Sequence, residues 1–207
     1  MLSADFWANE RDRLKAVLLP HMEGLAIAGA NAATVHLLQL GIAVDPTLAH
    51  AQAAAWARQH TDDLLDLLGT TNQRVTGEIV ANWIETPGAN RSQLSERLQQ
   101  VLDVNEYRAE LISITETTRA TAGGRKVVYA AAGLPTPVFE PPAHVKCRCD
   151  TVARRKDGVW YIVWVTDRDD TVCKARIVVP WGTGEVEGCR ALHGVVVSAG
   201  PMLGQKL

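Results

Sequence analysis

Four cysteines crowd the last third of the chain: Cys147, Cys149, Cys173 and Cys189, with His144 and His193 beside them. Thiolate sulfur and imidazole nitrogen are the usual tetrahedral ligands of zinc. In the run Pro141-Pro142-Ala143-His144-Val145-Lys146-Cys147-Arg148-Cys149, two prolines stiffen the approach to a His-x2-Cys-x-Cys loop. A Cys-x-Cys pair is tighter than a zinc knuckle, so both thiolates reach one ion only if the intervening backbone bends. The plain alternative is a pair of buried small residues beside a turn. Cys173 and Cys189, with His144 as a further donor, would complete a site pinning the small C-terminal part together. The 15 residues between Cys173 and Cys189 make the spacing non-standard. His193 follows Cys189 closely enough to share a metal on a helix, although a lone histidine there is more often a hydrogen-bonded structural residue.

A second constellation is charged. Glu116 stands between Arg108, eight residues before it, and Arg119, three after. On a helix all three share a face, and such a set can hold an ion-pair network that organises the loops over it. The alternative is an ordinary solvated face. Asp169 and Asp170, just before Cys173, suit a turn.

These residues must be positioned by two kinds of element. Residues 3–133 carry helical periodicity. Ser3 caps a first helix towards Leu19, and Pro20 is expected to interrupt it. Glu23–Leu40 is a second helix, stopped by Gly41. Asp45-Pro46 opens a third, expected to end at Gly69, with Thr70 or Thr71 capping another that carries Val75, Ile79 and Trp83 and closes at Pro87-Gly88. A short helix follows from Ser92. Glu106–Ala132 is then a long helix that Gly123-Gly124 is expected to weaken or bend. Leu134–Pro142 holds four prolines and reads as a rigid connector. Val159–Val165, Ala175–Pro180 and Gly194–Ser198 are β-branched and aromatic, and read as strands. The expected class is α+β: residues 1–104 a helical docking region, and residues 105–207 a small α+β module that a zinc would stabilise, with the connector at 134–142.

Bulk properties narrow the function. At 207 residues, 47% hydrophobic and 21% charged, the chain has the composition of a globular protein. The net charge of −2 gives no global case for a nucleic-acid binder, although residues 144–207 balance to +3 against −5 before them. No apolar run reaches the roughly 20 residues of a membrane span. The start lacks a signal peptide pattern, so a cytosolic product with reduced cysteines is expected. A phosphate-binding Gly-rich loop with its lysine, a nucleophile elbow and a His-Glu-x-x-His pair are all missing.

Four segments together resemble the phage head-morphogenesis family typified by the Mu F-like minor head proteins. Arg108–Ala120 matches a "RA-x-x-I-A-x-T-E" helix, Trp164–Cys173 a "W-x-x-x-x-D-x-x-V-C" strand and turn, Cys189–Gly194 a "C-x-x-L-x-G" segment, and Pro141–Cys149 a "P-P-x-H-x-x-C-R-C" motif. With the helical lead-in from Ala53 to Asp103, the resemblance spans about two thirds of the chain. In the family the proline–cysteine motif comes last, whereas here it precedes Trp164. The resemblance implies a minor capsid protein without catalytic residues, present in few copies in the virion head after assembly in the host cytoplasm. Its implied partners are the portal protein, the major capsid or scaffold proteins and packaged DNA, with no membrane, and the apolar helices could self-associate. One structural zinc is the cofactor expected from the cysteine and histidine set itself. The family's C-terminal module is distantly similar to ADP-ribosyltransferase folds, so an enzyme centred on Glu116 with Arg108 or Arg119 is one rival expectation. A zinc-dependent nucleic-acid binder using the basic tail is another.

Overall fold

A computed structural model describes residues 4–86, 92–93, 96–97, 106–137, 140–143, 147–166, 176–178, 185–187 and 189–200. They form three long helices, α1 (Ala4–Gln39), α2 (Pro46–Glu85) and α3 (Glu106–Ala131), and five strands. The strands are β1 (Asp150–Lys156), β2 (Val159–Val165), β3 (Arg176–Val178), β4 (Glu185–Glu187) and β5 (Val196–Gly200), with a 3-10 turn at Cys189–Leu192. The α+β class holds at this level: a helical region and a small antiparallel sheet.

α1 and α2 form an antiparallel hairpin. Gly41, at φ +80°, ends α1, with Ile42 N–H donating to Leu37 C=O and Gly41 N–H to Leu38 C=O. This double bond pattern satisfies the last carbonyls of the helix. Asp45 Oδ1 then accepts from the N–H groups of Thr47 and Leu48 at 2.8 and 3.3 Å and so caps α2, with Pro46 at the first helical position. Arg58–Glu23 at 2.7 Å, Lys15–Asp62 at 2.6 Å and Arg11–Asp66 at 2.9 Å lace the hairpin along its length.

Two expected helix breaks do not occur. α1 runs straight through Pro20, and α2 through Gly69. Pro20 lacks the N–H that would bond Ala16, but its ring is exposed and its neighbours are held by other means. Upstream Arg11 and Lys15 pair with α2, and downstream Met22 and Ala26 are buried. Thr70 and Thr71 do not cap a new helix. Their hydroxyls donate back to Asp66 and Leu67 C=O at 2.9 Å each, a bond made inside a continuing helix. A Pro20→Ala variant should therefore gain about 1–3 kcal/mol of stability, since the missing bond and the ring clash are both removed. Urea unfolding checks this, and an unchanged midpoint would mean that the helix has already relaxed around the ring.

The helices meet through small residues. Ala26, Gly29, Ala30 and Ala33 on α1, Ala49, Ala53 and Ala57 on α2, and Ala120 and Gly124 on α3 line their contacts. Small side chains let backbones approach closely, and the approach here is extreme. A Cβ on Gly124 would lie 1.9 Å from Ala26 O, and one on Gly29 would lie 2.1 Å from Thr121 O. Gly123-Gly124 is thus a contact surface within an α3 that continues unbroken through the glycine pair.

The sheet has the order β1-β2-β5, antiparallel throughout, and β3 pairs with β4 separately. Asp157 and Gly158, both at positive φ, make the two-residue turn between β1 and β2. Trp160, Ile162 and Trp164 alternate along β2 and are all buried. A register shift between Ile162 and Val163 leaves Val197 unpaired on β5 and turned into the core. One apolar core therefore runs from Met22 and Ala57 through Val128 and Tyr129 to Trp164 and Val197. Expected features at Ser3, Pro87-Gly88, Leu98–Leu102 and Asp169-Asp170 lie outside the described residues.

Candidate functional site

The first cluster joins α2 to α3. Glu116 Oε2 accepts from His60 Nε2 at 2.9 Å, and Glu116 Oε1 accepts from Arg119 Nη1. Trp56, one turn before His60, stacks on the imidazole with ring centroids 5.0 Å apart and planes 13° apart. The stack fits because α3 carries a glycine beneath it: a Cβ on Gly123 would lie 2.3 Å from the Trp56 ring. The Glu116 and His60 side chains are only 13% and 19% exposed. Burial alone would raise the Glu116 carboxyl, but the His60 hydrogen bond and the Arg119 charge outweigh it, and the net shift is downward. Glu116 is therefore held ionised with both oxygens engaged, which suits an anchor between helices better than a proton acceptor.

Of the expected charged set, Glu116 and Arg119 meet. Arg108 lies on the first turn of α3, and its side chain is outside the described residues. His60 was not anticipated, because it is 56 residues from its partner. The available signal was the Trp56/His60 pair at helical spacing beside the alanine stripe Ala49, Ala53, Ala57.

The second cluster grips the backbone of residues 147–153. Thr118 Oγ1 donates to Cys147 C=O. Arg125 Nη2 pairs with Asp150 Oδ2 at 2.7 Å. The Tyr129 hydroxyl donates to Thr151 C=O and accepts from Ala153 N–H, each at 3.4 Å. From α1, His36 Nε2 donates to Ala153 C=O at 2.8 Å. Thr118, Arg125 and Tyr129 fall at i, i+7 and i+11 and so share one side of α3. β1 is an edge strand, and an uncovered edge is a template for unwanted pairing. Here helix side chains occupy the edge at Thr151 and Ala153. Burial pushes the Tyr129 hydroxyl and the Asp150 carboxyl up, the second against the opposing charge of Arg125. The phenol is thereby kept protonated and able to donate. Tyr129→Phe should cost about 1–2 kcal/mol, because two buried backbone groups lose a partner. Faster amide exchange at Ala153 would accompany it, and unchanged exchange there would contradict the edge-sealing role.

The cysteines divide. Cys147 and Cys149 are buried at 1% and 6% exposure, within the apolar core. Cys189 opens the 3-10 turn, with its side chain outside the described residues, as are His144 and Cys173 altogether. Among the described residues, no group of three His, Cys, Asp or Glu side chains is placed to hold a metal ion. His193 Nδ1 accepts from Thr166 N–H at 3.2 Å, a structural hydrogen bond that fixes the strand end. No helix among the described residues is long and apolar enough to cross a membrane. In comparisons with family models, curated proteins and solved structures, nothing matches this chain.

Proposed function

We propose that this chain is a structural and assembly factor of a phage head, a minor capsid protein that acts by docking at the portal vertex. The observation that carries the reading is the outer part of the α1–α2 hairpin. None of residues 4–21 is buried, and Phe6, Val17 and, on α2, Leu67 are 45%, 59% and 65% exposed. Long helices that hold their shape by ion pairs while leaving apolar side chains uncovered are suited to a partner surface. The four motifs described above point to the portal protein as that partner, with major capsid or scaffold proteins as further contacts.

The test is co-expression with the portal protein of the same phage, followed by size-exclusion chromatography. A complex that forms with the natural chain and is lost in a Phe6→Ser/Val17→Ser/Leu67→Ser variant supports the reading. Failure to form it, together with normal heads and infectivity in a phage lacking the chain, overturns it.

An ADP-ribosyltransferase-like enzyme is the less favoured reading, since both oxygens of Glu116 are already engaged. Transfer of label from NAD to protein would revive it. The structural zinc is a separate proposal, and no step of the docking reading depends on it. Elemental mass spectrometry should find about one zinc per chain if His144 and the four cysteines converge, and none if Cys147 and Cys149 serve as core thiols.

A further inference from the structure

The far end of the β1–β2 hairpin concentrates positive charge. Arg154, Arg155 and Lys156 are consecutive and all exposed. None of them forms an ion pair with another described residue, in contrast to Arg11, Lys15, Arg58, Arg119, Arg125 and Lys126, which all do. Strand alternation puts Arg154 and Lys156 on one face, ~6.7 Å apart, and Arg155 on the other. The cations thus straddle the hairpin. Arg155 Cζ lies 5.8 Å from the Trp160 ring centroid, close enough for a cation–π contact to steady it.

Three occupants fit a basic edge, and two fit poorly. A strand-like peptide needs a run of open backbone groups, yet His36 and Tyr129 already occupy the β1 edge at Thr151 and Ala153. A single-stranded nucleic acid needs a row of exposed aromatic faces for stacking, and the hairpin offers only the half-buried Tyr161 opposite Arg154, since Trp160 is 2% exposed. A duplex phosphate backbone needs only cations at the tip of a narrow ribbon.

We propose that the tip of the β1–β2 hairpin contacts the phosphate backbone of duplex DNA through Arg154, Arg155 and Lys156, without reading sequence. The contact is independent of the head-assembly reading, because it makes no use of the portal-docking helices. Its strength is that of non-specific binding, ~10⁻⁴–10⁻⁶ M at physiological salt.

The test is fluorescence anisotropy of a labelled duplex of arbitrary sequence, titrated with the full chain at several salt concentrations. Three phosphate contacts give a log–log salt slope of about −2.7. The Arg154→Glu/Arg155→Glu/Lys156→Glu variant should bind at least ~10-fold more weakly and lose most of that slope. Its thermal unfolding should stay within about 4 °C of the parent, because all three side chains are exposed and the Arg155–Trp160 contact is the one described interaction lost. Should that variant misfold, Arg154→Gln and Lys156→Gln singly should each remove about 0.9 of the slope. Asp157→Asn, which keeps a residue tolerant of positive φ and removes the negative charge next to Lys156, should strengthen binding. Arg13→Gln, on exposed α1, should change nothing. Absent binding, an unchanged slope in the charge variants, or an equal loss in Arg13→Gln would each overturn the proposal. So would displacement by polyglutamate as effective as by unlabelled duplex, which would identify an acidic protein as the partner.

Discussion

Gly124→Ala should destabilise the protein by about 3 kcal/mol or more, although alanine is the better helix former by about 1 kcal/mol. The reason is the backbone it would strike. The new Cβ would lie 1.9 Å from Ala26 O and 2.7 Å from its carbonyl carbon. A carbonyl inside α1 cannot turn away as a side-chain end could, so the helices must part. Parting them also opens the neighbouring contact, where Gly29 faces Thr121 O. The Trp56 ring seated over Gly123 and the His60–Glu116 bond join α3 to α2, so an α3 displaced from α1 should disturb them too. Thermal denaturation reads the loss, at roughly 2–4 °C of Tm per kcal/mol for a chain of this size.

The same substitution one helix away should have the opposite sign. A Cβ on Gly69 or Gly77, both inside α2, would meet nothing within 4 Å. Gly69→Ala should therefore stabilise by about 0.5–1 kcal/mol through reduced chain entropy and better propensity. If Gly124→Ala and Gly69→Ala shift stability in the same direction, the close helix contact is wrong.

Local signals were readable where one segment decides its own structure. The stop at Gly41, the cap at Asp45 and the opening of the next helix at Pro46 were all legible, because their hydrogen bonds are made within a few residues. So were the start of the long helix at Glu106 and the limits of β2 at Val159 and Val165. Pro20 and Gly69 misled for the complementary reason. Each carries a local break signal, and each sits in a helix whose neighbours are held by another helix. β1 escaped notice because Arg154, Arg155 and Lys156 interrupt its apolar alternation. The Asp157-Gly158 pair before β2 was the signal that could have exposed it. Of the charged cluster, the Glu116–Arg119 pair could be read from one helical turn. His60, and the hold of Thr118, Arg125, Tyr129 and His36 on residues 147–153, depend on where separate elements cross, and no spacing rule reports that.

Glu116 yields the sharpest pH prediction. Its folded pKa is lowered, so the carboxylate binds its proton less readily in the folded chain than in the unfolded one. The stabilisation is then fully present above the unfolded carboxylate value, about 4.3, and is lost as pH falls through the lower folded value. At neutral pH, Glu116→Gln should cost about 2–3 kcal/mol, because His60 and Arg119 keep their positions and lose a charged partner. Below about pH 4 the natural chain should lose stability faster than the variant, so the gap between them narrows. Paired urea titrations from neutral to acid pH measure this directly. A gap that stays constant across that range would mean that Glu116 does not titrate differently on folding. A double-mutant cycle with His60→Ala isolates the bond between α2 and α3, and about 1–2 kcal/mol of coupling is expected for two largely buried side chains in contact. No coupling would leave the Arg119 pair as the source of the shift and would make the His60 contact incidental to holding the helices together.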